Sequence, residues 1–253
     1  MIRPGLIQLD LSANRLTSQE VNDLALQSDL TSAVLNKLVL SRNKKIKDEG
    51  ASALGKALKT NKSLKELELE ECNIGPNGGK ALAAALSEGA AVLTYLNLSR
   101  NRLCGVWKEW DDDDEEETVQ KGTYDPSGIK ALADALSVNA VLKSINLRGN
   151  NLGTEGWCAI FHALRDNKDN KIESWELQDE GIDAESAKAL AEYISVTAVL
   201  NKLVLSGNDI KDEGASALGE ALKVNKSLKE LVLSRCQIGP DGGKALATAL
   251  SEG

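Results

Sequence analysis

The segment LIQLDLSANRL, which begins at Leu6, comes back seven times along the chain. It returns as LNKLVLSRNKKI at Leu35, LKELELEECNI at Leu64, LTYLNLSRNRL at Leu93 and LKSINLRGNNL at Leu142. Three further copies, IESWELQDEGI, LNKLVLSGNDI and LKELVLSRCQI, begin at Ile172, Leu200 and Leu228. Successive starts lie 29, 29, 29, 49, 30, 28 and 28 residues apart. A unit this short cannot bury its own apolar face, so a near-constant period predicts units stacked on one another.

Each period reads L-x-x-L-x-L-x-x-N/C-x-L and then a stretch such as GGKALAAALSEG. The first half alternates apolar and polar residues, which predicts a short strand. The second half spaces Gly78, Ala81, Leu82, Ala85 and Leu86 along one helical stripe. Thr17 and Glu20 form a capping-box pattern ahead of the first helix. This pattern resembles the leucine-rich repeats, and the long period with a full helix is similar to their ribonuclease-inhibitor-like subclass. The resemblance implies an α/β fold: a right-handed solenoid, or horseshoe, with parallel strands on the concave face and helices on the convex face. The bend has a cause, since parallel strands lie about 4.8 Å apart and packed helices roughly 8–10 Å apart.

The ninth residue of each copy is Asn14, Asn43, Cys72, Asn101, Asn150, Glu180, Asn208 or Cys236. In the family such residues point inward and satisfy backbone groups of adjacent turns. Glu180 breaks the series and predicts a local distortion or a solvent-exposed turn, whereas Cys72 and Cys236 read as small buried apolar residues. The inward leucines are expected to be interchangeable across repeats, Leu67 and Leu231 alike. Residues 1–253 are read as one domain of about eight repeats. The chain opens and stops on repeat sequence without an obvious cap, so either a longer array or association of the array ends is expected.

Composition narrows the function. The chain has 30 Lys and Arg against 38 Asp and Glu, a formal charge of −8. That balance argues against nucleic acid as partner. No apolar run approaches a membrane span, and no signal-peptide pattern opens the chain. An intracellular, cytoplasmic protein is expected. Four cysteines in 253 residues are too few for a disulfide framework. The single histidine, His162, falls off the apolar stripe, and no nucleophile is paired with it by spacing. GPNGGKA at 75–81 is one residue short of a phosphate loop and ends in Ala, so Pro76 and the glycines read as a helix start. No catalytic residue, metal or cofactor is expected, and the chain is read as a non-enzyme.

The long interval carries an insertion, CGVWKEWDDDDEEETVQKGTY, at 104–124. Its acids are Glu109, Asp111, Asp112, Asp113, Asp114, Glu115, Glu116 and Glu117, against Lys108 and Lys121. The net charge of −6 makes this one loop the main source of the chain's acidity. The spacing fits no EF-hand. A solvated, partly disordered loop is expected, with docking of a basic segment as the second reading and adventitious divalent binding as the third. Trp107 and Trp110 in its stem are expected to fold over Trp157 and Phe161.

With the fourth and sixth positions turned inward, the third, fifth, seventh and eighth face the partner side. Residues 35–89 and 200–253 are near-duplicates that differ at ten aligned positions, and four of those (Arg42/Gly207, Glu68/Val232, Glu70/Ser234, Glu71/Arg235) lie on this face. The framework is held while the surface varies. A protein-interaction module is therefore expected, binding another protein on the concave face. The candidate centre is Tyr95, Asn97, Arg100, Asn146, Arg148, Glu176 and Gln178, beside the acids Glu66, Glu68 and Glu70. Tyr95 is the sole aromatic residue on this map, and aromatic and arginine side chains carry binding energy disproportionately. The alternative is an activator of a small GTPase, resembling the Ran GTPase-activating protein.

Overall fold

The computed structural model describes residues 5–26, 34–88, 92–111 and 114–252, with 108–111, 114–119 and Glu252 described through their backbone alone. Two compact units emerge: Met1–Leu132 with Leu147–Asn151, and Ala133–Asn146 with Leu152–Gly253. In the first unit, strands β1 (Gln8–Asp10), β2 (Lys37–Val39), β3 (Glu66–Glu68) and β4 (Tyr95–Asn97) pair in parallel and in sequence order. Helices α1 (Ser18–Leu26), α2 (Lys47–Leu58) and α3 (Pro76–Glu88) alternate with them. Helix α4 (Ser127–Leu136) follows the insertion. In the second unit, β8 (Ser174–Glu176), β9 (Lys202–Val204) and β10 (Glu230–Val232) form the parallel ladder, with β7 (Ser144–Asn146) beside β8. Helices α5 (Gly153–Asp166), α6 (Ala184–Val196), α7 (Lys211–Val224) and α8 (Pro240–Glu252) alternate with those strands. This is the α/β leucine-rich-repeat architecture that the period predicts.

The leucines at the strand positions form the core: Leu38, Leu40, Leu67, Leu69, Leu203 and Leu205 are fully buried. The expected helical stripe is real, with Gly78, Leu82, Ala85 and Leu86 buried. Pro76 starts α3 and Pro240 starts α8. Thr17 and Glu20 close their capping box, the Thr17 N–H donating to Glu20 Oε2 at 2.7 Å. Glycine keeps the helices close. A Cβ on Gly78 would come within 2.5 Å of Ile74 Cγ2, and one on Gly128 within 2.7 Å of the Pro76 Cα of the preceding repeat.

The ninth-position asparagines are the rungs between repeats. Asn43 Oδ1 accepts from the Asn14 and Leu16 N–H groups at 3.0 and 2.9 Å, and its amide donates to the Leu11 and Leu40 carbonyls. Asn101 repeats this on Cys72, Ile74, Leu69 and Leu98, as Asn208 does on Glu180, Ile182, Leu177 and Leu205. Each buried amide therefore satisfies two donors and two acceptors that would otherwise be stranded. Cys72 and Cys236 are more than small apolar fillers. Their thiols donate to the Leu40 and Leu205 carbonyls at 3.3 and 3.1 Å, and burial pushes the Cys72 thiol up to about 12.

Two expectations need correction and two are met only in part. The turn at Glu180 is undistorted, since the eighth residue of every repeat, from Ala13 (φ 56°) through Asp179 (φ 56°) to Arg235 (φ 56°), adopts the same left-handed conformation, but it is solvent-exposed as the alternative had it, with Asp179 and Gly181 exposed and Glu180 half-buried. Glu180 keeps it because Asn208 holds its N–H and Trp157 Nε1 donates to its carbonyl at 3.2 Å. In the insertion, β5 (Val106–Asp111) pairs antiparallel with β6 (Asp114–Gly122), while its acidic tip, Asp112 and Asp113, lies outside the described residues. Its base turns on Gly105 (φ +73°) and Gly122 (φ +85°), where a Cβ would strike backbone oxygens at 2.4 and 2.1 Å. Trp157 and Phe161 are covered by Trp175, edge-on at 6.2 and 6.3 Å, while Trp107 in the hairpin stem lies under Arg102 at 3.9 Å. Finally, Leu67 and Leu231 are not equivalent. The former is fully buried and the latter half-buried, because nothing among the described residues stacks on the eighth repeat.

Candidate binding face

Alternation along each strand presents the third and fifth residues on the face opposite the helices. In the first unit these are Gln8 and Asp10, Lys37 and Val39, Glu66 and Glu68, then Tyr95 and Asn97, in register across β1 to β4. Lys37 stands between two carboxylates, 3.1 Å from Glu66 and 2.6 Å from Glu68. Glu68 and then Glu66 hold its ammonium above its usual range. Arg100 reaches Glu71 at 3.2 Å and Glu70 at 3.7 Å. The four glutamates of the third repeat are thus a partly neutralised patch, and Arg100 is engaged within its own unit rather than held out for a partner carboxylate.

Tyr95 lies directly across from Glu66 in the ladder. Its ring is half-buried, and its phenol is pushed up first by that burial and then by the Glu68 charge. Asn97 is 6% exposed, with Oδ1 accepting from the Ser99 N–H and hydroxyl at 3.0 and 2.7 Å. It braces the turn after β4. Arg148 belongs to the same unit. Asn146, Glu176 and Gln178 belong to the other one, where Glu176 pairs with Lys202 at 3.2 Å. Gln178 Oε1 is buried without a hydrogen-bond partner. Of the insertion, Trp107 is placed as described, whereas the side chains of Trp110, Asp111, Asp114, Glu115, Glu116 and Glu117 lie outside the described residues, as do Asp112 and Asp113 altogether.

A second asparagine series escaped the sequence reading. Asn61 Oδ1 accepts from the Ser63 and Leu64 N–H groups, and Asn139 does the same for Val141 and Leu142. Asn167 and Asn225 donate across to the preceding repeat, at Leu136 and Ile194. All four pin the turn that enters a strand. Asn61, Asn139 and Asn225 each stand three residues before the leucine that opens the next repeat, Leu64, Leu142 and Leu228. Trp175, which replaces leucine at the fourth position of its repeat, was likewise overlooked.

His162 is half-buried, with Nε2 3.7 Å from Glu192. Among the described residues, no group of three His, Cys, Asp or Glu side chains is placed to hold a metal, and no helix is long and apolar enough to cross a membrane.

Strands bearing a variable outer face, asparagine rungs and a helix per turn define the leucine-rich-repeat class. The leucine-rich-repeat profile matches residues 31–55, 60–83, 138–160, 198–219 and 224–247. The chain is similar to human NACHT, LRR and PYD domains-containing protein 5, at 31% identity over 81% of this chain and 20% of that one. It is 27% identical to mouse ribonuclease inhibitor over 82% of this chain and 40% of that one. Among solved structures it resembles a leucine-rich repeat-containing protein from Legionella pneumophila, with a TM-score of 0.54 and 20% identity over 99% of this chain and 73% of that one. The chain belongs to the leucine-rich-repeat proteins, ribonuclease-inhibitor-like type. It spans less than half the length of the two curated relatives.

Proposed function

We propose that the chain is a protein-binding module whose first unit docks a partner on the outer face of β2 to β4, centred on Tyr95. One observation carries this reading. A half-buried aromatic ring stands on a mostly polar strand face, with Val39 the other apolar residue there, in register with Glu66 and beside Glu68. A tyrosine offers a large apolar body at low entropic cost together with a polar tip, the combination enriched at binding hot spots. The ion pairs Lys37–Glu66, Lys37–Glu68 and Arg100–Glu71 surround it as a polar rim. The duplicated pair of repeats adds support, because its substitutions at Glu68, Glu70 and Glu71 fall on this rim while the core leucines are unchanged.

Leucine-rich-repeat domains in general mediate protein–protein interaction, and the reading for this chain follows that precedent. No observation among the described residues favours the second reading, activation of a small GTPase. The test is a photocrosslinking side chain placed at position 95, and in a second preparation at position 80 on α3. Covalent capture of a defined protein from 95 and not from 80 supports the proposed face. Capture from 80 alone contradicts it.

A further inference from the structure

Val138, Val196 and Val224 are 64, 60 and 60% exposed, and they share one position. Each directly precedes the residue that holds the turn from helix to strand, Asn139, Thr197 or Asn225. The same turns expose Ala140 and Ala198 and leave Val141 and Val199 half-buried. A single exposed valine is ordinary, but three at one place in the repeat make an apolar row along one edge of the second unit. The fold does not demand it. The counterpart of Val224 is the exposed Thr60, in a turn otherwise identical, TNKSLK against VNKSLK.

The row lies in a basic surround. The turns that enter β7 to β10, residues 137–143, 167–173, 197–201 and 225–229, hold five lysines against Asp169 and Glu173, a net +3. The turns that leave β8 to β10, residues 177–183, 205–210 and 233–239, hold four acids against Arg235, a net −3. Lysine near helix carboxyl ends complements the helix dipole, which accounts for the charge but not for the valines. An exposed apolar row rimmed by charge of one sign marks an interaction surface.

The insertion offers the opposite surface. Strands β5 and β6 form a two-stranded sheet of their own, and residues 104–124 carry eight acids against two lysines, together with Trp110 and Val119. We propose that the valine–lysine edge of the second unit is the docking site for the acidic hairpin of a second copy of the chain. Lysines of the edge meet its carboxylates, and the valines meet its apolar residues, tryptophan being enriched at such contacts. An anionic lipid surface fits less well, because it repels a chain of net charge −8 as a whole. The hairpin belongs to the first unit and the edge to the second, so every copy carries both halves of a head-to-tail contact. This inference is separate from the Tyr95 face and does not depend on it.

The experiment measures the mass of the whole chain by sedimentation equilibrium, with circular dichroism to check that each variant folds. At low salt the mass of the parent is expected to rise with concentration to about twice that of the monomer or more. At about 0.5 M salt, where the screening length is roughly 4 Å, it should fall back to the monomer. One variant combines Lys168→Glu, Lys171→Glu and Lys229→Glu; a second changes Asp111 to Asp114 into Asn. Each alone should stay monomeric, and their mixture should recover a complex, because one brings an intact hairpin and the other an intact edge. Val224→Thr, which installs the residue of the second repeat, should weaken self-association by about threefold or more. A parent that is monomeric at every concentration overturns the proposal, whether the edge is empty or serves an acidic segment of another protein. Self-association that survives either charge variant, a mixture that stays monomeric, or indifference to Val224→Thr overturns it as well.

Discussion

Trp157 donates its indole N–H to the carbonyl of Glu180, one repeat further along, at 3.2 Å. Its ring stacks on Phe161 at 5.6 Å and meets Trp175 edge-on, and all three side chains are essentially fully buried. This cluster braces the second unit where the rung residue is Glu180 rather than asparagine.

Trp157→Ala should therefore destabilise the chain by about 3–5 kcal/mol, the range for emptying a large aromatic site. Trp157→Phe keeps part of the packing but strands the Glu180 carbonyl, and should fall between the two. Urea midpoints check both. An alanine variant as stable as the parent would show that the cluster is not part of the core.

Asn101→Leu tests the rungs. The substitution nearly preserves volume but leaves the Cys72 and Ile74 N–H groups and the Leu69 carbonyl without their partner. Each buried unsatisfied group costs about 1–3 kcal/mol, so the loss should exceed roughly 2 kcal/mol. Asn14→Leu, at the exposed first rung, should cost much less. Equal effects at the two positions would remove the rungs from the account.

How much of this was legible follows from what repeats. The leucine positions, the asparagine rungs and the helix starts at Pro76 and Pro240 recur at one period, so periodicity alone places them. The Trp157–Phe161–Trp175 cluster occurs once, in a repeat whose leucine position is filled by Trp175, and a period cannot announce what it does not repeat. The hairpin was hidden by charge: its acidic composition reads as solvated loop, whereas Gly105 and Gly122 at its base permit the turns that pair its arms. On the candidate face, the pattern placed Lys37, Glu66 and Tyr95 correctly as outward residues. It did not reveal that Lys37 and Arg100 bind their own glutamates, since side-chain reach across strands is not written in spacing.

Asp183 gives a pH signature. Burial, the largest single influence, raises its carboxyl, but hydrogen bonds from Ser186 and Thr154 together outweigh it and hold the group below its ordinary value of 3.8. A carboxyl depressed in the folded state stabilises above its unfolded pKa, and that stability is lost as pH falls through the folded pKa. The stability gap between the parent and Asp183→Ala should be full at about pH 6 and shrink below about pH 4. A gap that widens on acidification would reverse the assigned sign.

The hairpin should be separable from the repeats. Val106 and Gly122 face each other at its base, so joining them directly removes the arms 107–121 while Cys104 and Val106 stay in the core. The shortened chain should keep its far-ultraviolet circular dichroism and become less negative by a net six charges, losing eight acids and two lysines. Unfolding on excision would make the arms part of the fold.

The binding face is tested most directly by titrating a captured partner against three chains, the parent, Tyr95→Ala and Lys80→Ala, by calorimetry. The account predicts that Tyr95→Ala weakens binding by about tenfold or more, above the roughly 1 kcal/mol that marks an energetically important contact. Lys80→Ala, on the exposed surface of α3, should leave the affinity unchanged. A partner indifferent to Tyr95 but weakened by the loss of Lys80 would contradict the account and move the interaction to the helices.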